Sequence, residues 1–498
     1  MAASIASDGK VPWHVRLIHH IATRASSLKP PSNVRFENPF HVLGQLNKKQ
    51  WLFFLVAFAA WTWDAFDFFT VSLTASDIAE SLDRTVTDIT WGITVVLMLR
   101  SVGAIVFGLL SDKYGRKWPF IWNCGLFVIL ELGTGFVQTY EQFLAVRALF
   151  GIAMGGIYGN CAATALEDCP FAARGIISGM LQEGYAFGYL LAVVFNRALT
   201  TTTSHGWRSL FWFGAAPPVL IIVFRMCLPE TETYMVQKNM ERLSHKASFI
   251  QMAKASFKGY WHIMVYLVVI MAGFNFMSHG SQDLYPTMLE VQLQFGADKR
   301  TVTMCVANLG AIAGGMLFGH MSDFIGRRLT IIIACILGGA LIYPWAFVRN
   351  GGIMAAVFFL QFMVQGAWGV VPIYLSELSP PALRAFIVGL AYQLGNLASS
   401  ASSTIEATIG MRFPLETPAD ATIRRYDYAK VMASFMGCVF GFVLVVSFFG
   451  PENRSADLSV GYAFESQRDE EDDDDVEKNA PDDPEKNTPA KHQGTRVA

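Results

Sequence analysis

A polar seam runs through one long apolar segment of this chain. Five polar residues in that segment recur at i, i+3, i+4, i+7 and i+8: Asn275, Ser278, His279, Gln282 and Asp283. This spacing places them on one face of an α-helix. A histidine and a carboxylate one turn apart can hold and pass a proton, and the neighbouring amides can bind an organic ligand. We therefore predict a transport site, although a seam that only joins neighbouring helices would show the same spacing.

Two other apolar segments carry charged residues. The first contains Asp64 and Asp67 one turn apart, and the second contains Arg100 near its middle. Two carboxylates this close inside a membrane rarely both stay ionised, so one of them is a candidate proton carrier. An arginine at this depth stays charged and needs an anion, and its planar fork binds a carboxylate bidentately. The anion is either a substrate carboxylate or one of the two aspartates in a permanent pair, and the two arrangements can alternate.

Further candidates lie on three other segments. Gln393 and Asn396 share a helix face and are neutral donors suited to a carboxylate and an adjacent hydroxyl or keto oxygen. Arg147 is expected at the outer end of its segment, where snorkelling accounts for it. The glycines after it favour close helix packing over ligand contact. Secondary candidates on the fifth and tenth segments are Gln182, Glu183, Tyr185, Gln361 and Gln365.

The composition indicates a polytopic membrane protein. Hydrophobic residues make up 53% of the 498 positions and charged residues only 16%, and the mean hydropathy is +0.36. These values exclude an ordinary soluble protein. Twelve candidate spans of about 20 residues can be read. They start near Trp51, Ile89, Trp118, Gln142, Gly175, Ser209, Tyr260, Val302, Leu329, Gly352, Ala385 and Val431.

The sequence offers no sign of enzyme chemistry. The seven cysteines show no paired spacing, so neither a disulfide framework nor a metal site is implied. Metal-ligand clusters, a nucleophile elbow and a phosphate loop are not found, and we therefore expect no cofactor and no catalysis. We expect a small solute, a proton and the lipid bilayer as partners, and no nucleic acid. Because apolar sequence starts only at Trp51, a cleavable signal peptide does not fit.

The order of polar and apolar sequence predicts five parts: a cytoplasmic segment 1–50, a six-helix bundle 51–229, a polar linker loop 230–259, a second bundle 260–450 and a tail 451–498. The linker is rich in lysine and arginine, and such loops stay cytoplasmic, so both termini are expected inside. The tail contains the acidic run 469–477, which favours disorder. Trafficking or turnover machinery can bind such termini, and the sequence leaves that role open.

The two halves repeat one motif. GLLSDKYGRK at 108–117 and GHMSDFIGRR at 319–328 each fall between the second and third span of their half, and Glu167 recurs as Glu377. We predict that Asp112 pairs with Arg116 and Lys117 in the first loop, and that Asp323 pairs with Arg327 and Arg328 in the second, as short-range charge pairs. Simple anchoring by positive charge is the alternative to gating.

Two six-span halves joined by a basic loop resemble the major facilitator superfamily, an all-α membrane fold of twelve helices in two pseudo-symmetric bundles. In that superfamily the loop pairs act as latches that hold the halves closed on the inner side, so the resemblance implies a gating role for both.

The segment 275–287 matches the pattern NxxSHxSQDxxxT at every fixed position. It resembles the fungal Jen-type carboxylate/proton symporters, in the sialate/proton symporter branch of the superfamily. The resemblance implies roles in proton-coupled uptake and affinity for Asn275, His279 and Asp283. It implies substrate recognition by Arg100, Gln393 and Asn396.

The expected function is proton-coupled import of short-chain carboxylates across the plasma membrane. Lactate and pyruvate are the expected substrates, and acetate is a further candidate. Within the substrate site we expect Arg100, Asn275, Gln393 and Asn396. In proton coupling we expect His279, Asp283, Asp64 and Asp67. A dicarboxylate symporter of the same family, a sugar or phosphate porter and a nutrient sensor with a signalling tail remain alternatives.

Overall fold

The structure is a computed structural model that describes residues 21–30, 37–84, 86–200, 202–244, 249–349, 351–380, 383–415 and 426–454. The regular structure of these residues is helical, and no strand occurs among them. The predicted acidic run 469–477 lies outside the described residues, as do the rest of the tail beyond 454 and residues 1–20.

Each of the twelve predicted segments is helical, which confirms the all-α membrane fold. The first to sixth spans are Lys48–Leu73; Val86–Tyr114; Lys117–Phe136; Tyr140–Gly155 with Ile157–Leu166; Arg174–Gln182 with Gly184–Leu199; and Trp207–Gly214 with Ala216–Cys227. The seventh to twelfth spans are Phe249–Gln282; Ala297–Ile325; Arg327–Phe347; Ile353–Gly369 with Val371–Leu378; Arg384–Ser399 with Ser402–Gly410; and Tyr428–Phe449.

Ten of the spans are long and apolar enough, within the described residues, to cross a membrane. The fifth and the eleventh spans are not among these ten, and each consists of two helical pieces of at most 16 residues. These two spans hold equivalent places in the two halves. Gln182 and Glu183 lie at the break of the fifth span, and Ser400 and Ser402 flank the break of the eleventh.

Local sequence sets the helix ends. The first span starts with a capping box in which Asn47 and Gln50 satisfy each other's backbone N–H groups. In the two repeated motifs, Gly115 and Gly326 take φ angles of +96° and +104°. A side chain is strained at such angles, so glycine is needed for the sharp turn between neighbouring spans.

The linker between the halves differs from the predicted loop. It contains the helix Glu232–Ser244, and the seventh span already begins at Phe249. The linker helix is rich in strong helix formers. Asp168 caps it by accepting hydrogen bonds from the backbone N–H groups of Glu232 and Thr233, at 2.8 and 3.0 Å. Burial raises the pKa of the Asp168 carboxyl, although these two bonds act in the opposite direction.

Glycines let the two bundles approach closely. A Cβ at Gly179 on the fifth span would collide with the Gly315 carbonyl oxygen on the eighth, and one at Gly108 on the second span would lie 2.7 Å from the Cα of Phe386 on the eleventh. Both ends of the described chain lie together, because Arg24 donates to the Gly450 carbonyl oxygen at 2.9 Å. We call this the terminal end of the molecule.

Candidate functional site

The central charged pair is Arg100 with Asp64. The distance from Arg100 Nη2 to Asp64 Oδ2 is 3.2 Å, and the two side chains are 1% and 0% exposed. Gly155 on the fourth span lies against the backbone of Arg100, where a Cβ would collide with the carbonyl oxygen. Within the described residues, Arg100 Nε and Asp64 Oδ1 make no hydrogen bond. Packing therefore fixes the pair, while each partner keeps hydrogen-bonding capacity for a ligand.

A chain of polar contacts joins this pair to the second bundle. Ser101, next to Arg100, donates to the Gln393 carbonyl oxygen at 3.4 Å. The Asn396 amide donates to Gln393 Oε1 at 3.2 Å, and Asn396 Oδ1 lies 3.5 Å from His279 Nε2. His279 Nδ1 in turn lies 3.0 Å from Asp283 Oδ2. The chain brings together six predicted site residues: Asp64, Arg100, His279, Asp283, Gln393 and Asn396.

Both ring nitrogens of His279 face oxygen atoms. Nδ1 points at the Asp283 carboxylate, and Nε2 points at the carbonyl oxygen of the Asn396 amide as that amide is oriented here. A neutral imidazole has only one N–H, so it can donate to one of these oxygens, whereas the imidazolium donates to both. The surroundings of His279 therefore suit a residue that gains and loses a proton during a cycle.

Aromatic rings from both bundles surround the charged pair. Tyr158 of the fourth span and Tyr392 of the eleventh stack across the bundle interface with ring centres 4.0 Å apart. Trp61 lies against three rings, 5.0 Å from Tyr158, 5.7 Å from Tyr185 and 5.7 Å from Tyr392. Apolar ring faces lower the local dielectric, which strengthens electrostatic interactions near them.

Asn275 lies beside this chain of contacts. Its amide nitrogen donates to the Met271 carbonyl oxygen of its own helix at 2.8 Å, and its side chain packs directly against Gly395. Gly395 falls between Gln393 and Asn396 in the sequence. The structure thus places Asn275 where it supports the eleventh span at the site, with one of its two amide N–H groups bonded to its own helix.

The rest of the seam faces the tenth span. Gln282 donates to Gln361 Oε1 at 3.0 Å, and Gln361 donates to the Ser281 hydroxyl at 3.2 Å. Ser278 donates to Gln282 Oε1 at 3.4 Å. The seam therefore has two parts, one joined to the eleventh span through His279 and one that holds the tenth span.

Asp67 lies in a different cluster from Asp64. Its carboxyl group lies beside that of Glu131 on the third span, since both approach Gly214 on the sixth span, and within the described residues no hydrogen bond joins the two carboxyl groups. Arg147 lies 3.6 Å from Glu131, and both of these side chains are buried. Two buried carboxyl groups this close do not both stay ionised, so one of them holds a proton. This cluster is therefore a second buried group in the first bundle that can hold a proton.

The position of Arg147 corrects the expectation of a snorkelling side chain. It is 1% exposed, pairs with Glu131 and lies over the Phe150 ring at 4.0 Å. The sequence analysis missed Glu131. The sequence pattern that could have revealed Glu131 is a single carboxylate within the apolar run FVILELGTGF. Burying a carboxylate in a membrane is costly unless it has a charged or hydrogen-bonding partner.

A second carboxylate was also missed. Glu406, in the second piece of the eleventh span, is fully buried and neither carboxyl oxygen makes a hydrogen bond within the described residues. It lies within range of the Asp283 charge. A lone acid in the run STIEA was the available signal. Among the residues that the structure describes, no group of three or more His, Cys, Asp or Glu side chains is arranged to hold a metal ion.

The repeated motifs form two equivalent clusters at the terminal end. In the first latch, Arg116 donates to Asp112 at 2.6 Å and to both oxygens of Glu167 at 2.6 and 3.1 Å. In the second latch, Arg327 donates to Asp323 at 2.7 Å and to both oxygens of Glu377 at 2.9 and 3.1 Å. We use these two names for the two triads below.

Each latch reaches across to the other bundle. Asp112 accepts from the backbone N–H groups of Ala385 and Phe386 at 3.2 and 2.9 Å, and Asp323 accepts from the N–H of Gly175 at 3.0 Å. The bundles are therefore joined at the terminal end in this structure. Bonds to backbone groups carry no side-chain specificity, which lets the same device work at both places.

The basic residues beside the latches have other partners. Lys117 donates to the carbonyl oxygens of Met226 and Leu228 at 2.8 and 2.7 Å. Arg328 donates to the Ser447 carbonyl oxygen at 2.9 Å and also bonds to Phe448. The expected pairs of Lys117 with Asp112 and of Arg328 with Asp323 are therefore wrong, because both side chains bond to the ends of neighbouring helices.

Comparisons with known proteins agree with this architecture. The profile of the family described as "Sugar (and other) transporter" matches residues 48–460. A Saccharomyces cerevisiae protein named as a carboxylic acid transporter protein homolog is 44% identical over 456 residues, which cover 88% of this chain and 74% of that protein. The cis,cis-muconate transport protein of Acinetobacter baylyi is 27% identical over 72% of this chain and 86% of its own.

Among solved structures, the major facilitator superfamily proton:xylose symporter XylE aligns with a TM-score of 0.66 at 16% identity, over 83% of this chain and 99% of XylE. Identity this low bears on the fold alone. The alignment confirms the arrangement of two six-helix bundles that the hydropathy pattern and the repeated motifs predict.

Proposed function

The chain belongs to the sugar (and other) transporter family of the major facilitator superfamily, and we propose that it is a symporter that carries short-chain monocarboxylates, such as lactate and pyruvate, together with a proton. The observation that carries the proposal is the buried Arg100–Asp64 pair, whose neighbour Ser101 contacts Gln393 on the same helix as Asn396, the contact of His279 and, through it, of Asp283. A relative named as a carboxylic acid transporter, at 44% identity, supports the substrate class.

Exchange of anions at Arg100 couples the substrate to the proton. A substrate carboxylate takes the place of the Asp64 carboxylate at the guanidinium, which binds it bidentately. Asp64, now without its cation in a buried place, binds a proton. The loaded site therefore has the same net charge as the empty one, and either ligand alone leaves a charge unbalanced.

This balance has an energetic reason. An inside-negative potential opposes entry of a monocarboxylate anion by about 2.3 kcal/mol per 100 mV. One proton carried with the anion removes that cost and couples uptake to the pH gradient, which supplies about 1.4 kcal/mol per pH unit.

Gln393 and Asn396 complete the substrate site, and His279 with Asp283 shapes proton access. Gln393 Nε2 makes no hydrogen bond within the described residues, so it is available to a second carboxylate oxygen. Glu406 lies near Asp283 and extends the route of titratable groups away from the terminal end. The Asp67–Glu131 pair is a second place where a proton can rest during the cycle.

Alternating access follows from the two latches. With Asp112 and Asp323 bonded across the interface, the terminal end is closed. To open that end, both carboxylates leave the backbone N–H groups of the other bundle and the bundles rock apart. We place the protein in the plasma membrane with the terminal end in the cytoplasm, because the linker there is basic.

Uptake of labelled lactate into membrane vesicles, with an acidic outside, tests the proposal. We expect saturable uptake that pyruvate and unlabelled lactate inhibit and that collapses when a protonophore removes the pH gradient. Arg100→Lys should lower uptake about 100-fold, because the bidentate contact is lost. The matched control is Arg225→Lys, a buried arginine of the same bundle that pairs with Glu230 at the terminal end.

Uptake that is indifferent to the protonophore would overturn the proton coupling. Inhibition by xylose but by no carboxylate would overturn the substrate class. Inclusion of succinate and malate among the competitors separates monocarboxylate from dicarboxylate preference.

A further inference from the structure

We propose that Tyr185 is a specificity-determining residue, whose hydroxyl binds an oxygen on the carbon next to the carboxylate. The preferred substrates would then be 2-hydroxy and 2-oxo acids, ahead of unsubstituted acids of the same length. This inference rests on the proposed function, because it takes the substrate carboxylate to be held by Arg100.

The choice of Tyr185 follows from what surrounds Arg100. Titratable side chains of the described residues that interact electrostatically with Arg100 include Asp64, Tyr185, His279 and Tyr392. Asp64 is paired with Arg100 itself, His279 is engaged by Asp283 and Asn396, and the Tyr392 hydroxyl contacts the Asn396 side chain. Of these four side chains, only that of Tyr185 has no hydrogen-bond partner among the residues that the structure describes.

The position of the hydroxyl is central. It lies within range of Arg100 and Asp64 in the first bundle and of Tyr392 and Asp283 in the second. A ligand bound between the bundles would therefore meet Tyr185 on one side and Arg100 on another. The side chain is only half-buried, unlike the fully buried Asp64 and Gln393, so its hydroxyl remains accessible to such a ligand.

Ring packing fixes the direction of this hydroxyl. The Tyr185 ring centre lies 5.7 Å from that of Trp61 and 5.3 Å from that of Phe69, both on the first span. Tyr185 is the second residue of the second piece of the fifth span, Gly184–Leu199, just after the break at Glu183. A donor held by its neighbours before the ligand arrives loses little entropy on binding, and this gives it discriminating power.

The chemistry of a phenol explains the predicted preference. Its O–H donates to a keto oxygen, and its oxygen accepts from a hydroxyl, so one residue serves lactate and pyruvate alike. Propionate has the same length as lactate but carries only hydrogens at that carbon. It would leave the Tyr185 hydroxyl without a partner in a desolvated place, which costs affinity.

Tyr185→Phe tests the inference, with lactate and propionate compared in the same vesicles. We expect the preference for lactate over propionate to fall about five- to tenfold, the usual effect of one lost hydrogen bond. The KM for lactate should rise, whereas the KM for propionate should stay the same or fall, because the variant no longer leaves an unpaired hydroxyl beside propionate. Malate against succinate is a second pair that differs by the same oxygen, and its ratio should shift in the same direction.

Tyr189→Phe is the matched control. Tyr189 lies one turn further along the same helix, and its ring packs against the same Phe69 at 4.2 Å. It should leave the lactate-to-propionate ratio unchanged, which separates loss of this particular hydroxyl from a general disturbance of the fifth span.

Two results would overturn the role of Tyr185. An unchanged ratio in Tyr185→Phe would show that the hydroxyl does not contact the substrate. An equal loss of lactate and propionate uptake would show that the residue only supports the fold. If the unaltered protein carries no carboxylate at all, the proposed function fails first, and that outcome is read from the wild type alone.

Discussion

The terminal end and the centre of this molecule are built in opposite ways. At the terminal end the two bundles repeat one device, since the first latch and the second latch match residue for residue and both reach backbone N–H groups across the interface. At the centre, the two bundles contribute different types of side chain to the described site. The first bundle supplies Arg100 and Asp64, whereas the second supplies amides and His279.

The difference separates mechanics from recognition. A rocking motion needs the same restraint on both halves, and a bond to a backbone group supplies it without regard to side-chain identity. A short-chain organic acid anion has a charged carboxylate at one end and an uncharged remainder. Its site therefore needs a cation on one side and neutral donors on the other. In the proposed mechanism, symmetry therefore persists where the protein moves and is absent where it binds the substrate.

The largest effect should come from the centre. Asp64→Asn cannot carry a proton and leaves Arg100 without its counter-ion, so we expect pH-driven lactate uptake to fall about 100-fold. Exchange of internal for external lactate should persist, because the loaded carrier still crosses. Measurement of both activities in one vesicle preparation separates them, and Asp64→Glu is the control that keeps the charge. Loss of exchange and pH-driven uptake to the same degree would contradict the role of Asp64 as proton carrier.

An intermediate effect should come from the latches. Arg116→Gln and Arg327→Gln each remove the cation between two buried carboxylates, which destabilises the closed terminal end. We expect uptake to fall roughly tenfold in each variant, with the two values within about twofold of each other. Initial rates at saturating lactate measure this. If one of the two variants abolished uptake and the other had no effect, the two latches would not be equivalent, and the contrast between a symmetric terminal end and an asymmetric centre would be wrong.

The smallest effect should come from the seam of the seventh span. His279→Gln keeps a donor but cannot be charged, so the KM for lactate should rise about three- to tenfold and its dependence on external pH should flatten. Ser278→Ala, one residue earlier, removes only a 3.4 Å contact with Gln282 and should change the KM less than about twofold. Equal effects of the two changes would mean that the seam holds helices together and does no more.

The fold was accessible from sequence because its signals are local. Twelve apolar stretches predict helices long enough to cross a bilayer, and the repeated runs GLLSDKYGRK and GHMSDFIGRR indicate two related halves. The glycine in each run sits at a positive φ that the turn requires. The linker helix Glu232–Ser244 escaped detection because its charge pattern reads as a loop when no partner is known.

The site was accessible only in part. Arg100, His279 and Asn396 stand out because polar groups at membrane depth are costly. The separation of Asp64 from Asp67 does not follow from a spacing of three residues. It depends on the third and fourth spans, which bring Glu131 and Arg147 to one side of the first span. Helix packing of this kind is a tertiary property, and no local pattern encodes it.

The central claim is that an organic acid and a proton cross together, one for one. Purified protein in liposomes with a pH dye inside tests it most directly, when lactate is added outside at equal pH and zero membrane potential. The account predicts acidification of the lumen that matches lactate entry one proton per lactate and that does not change when a membrane potential is imposed. Lactate entry without acidification, or entry whose rate follows the imposed potential, would contradict it.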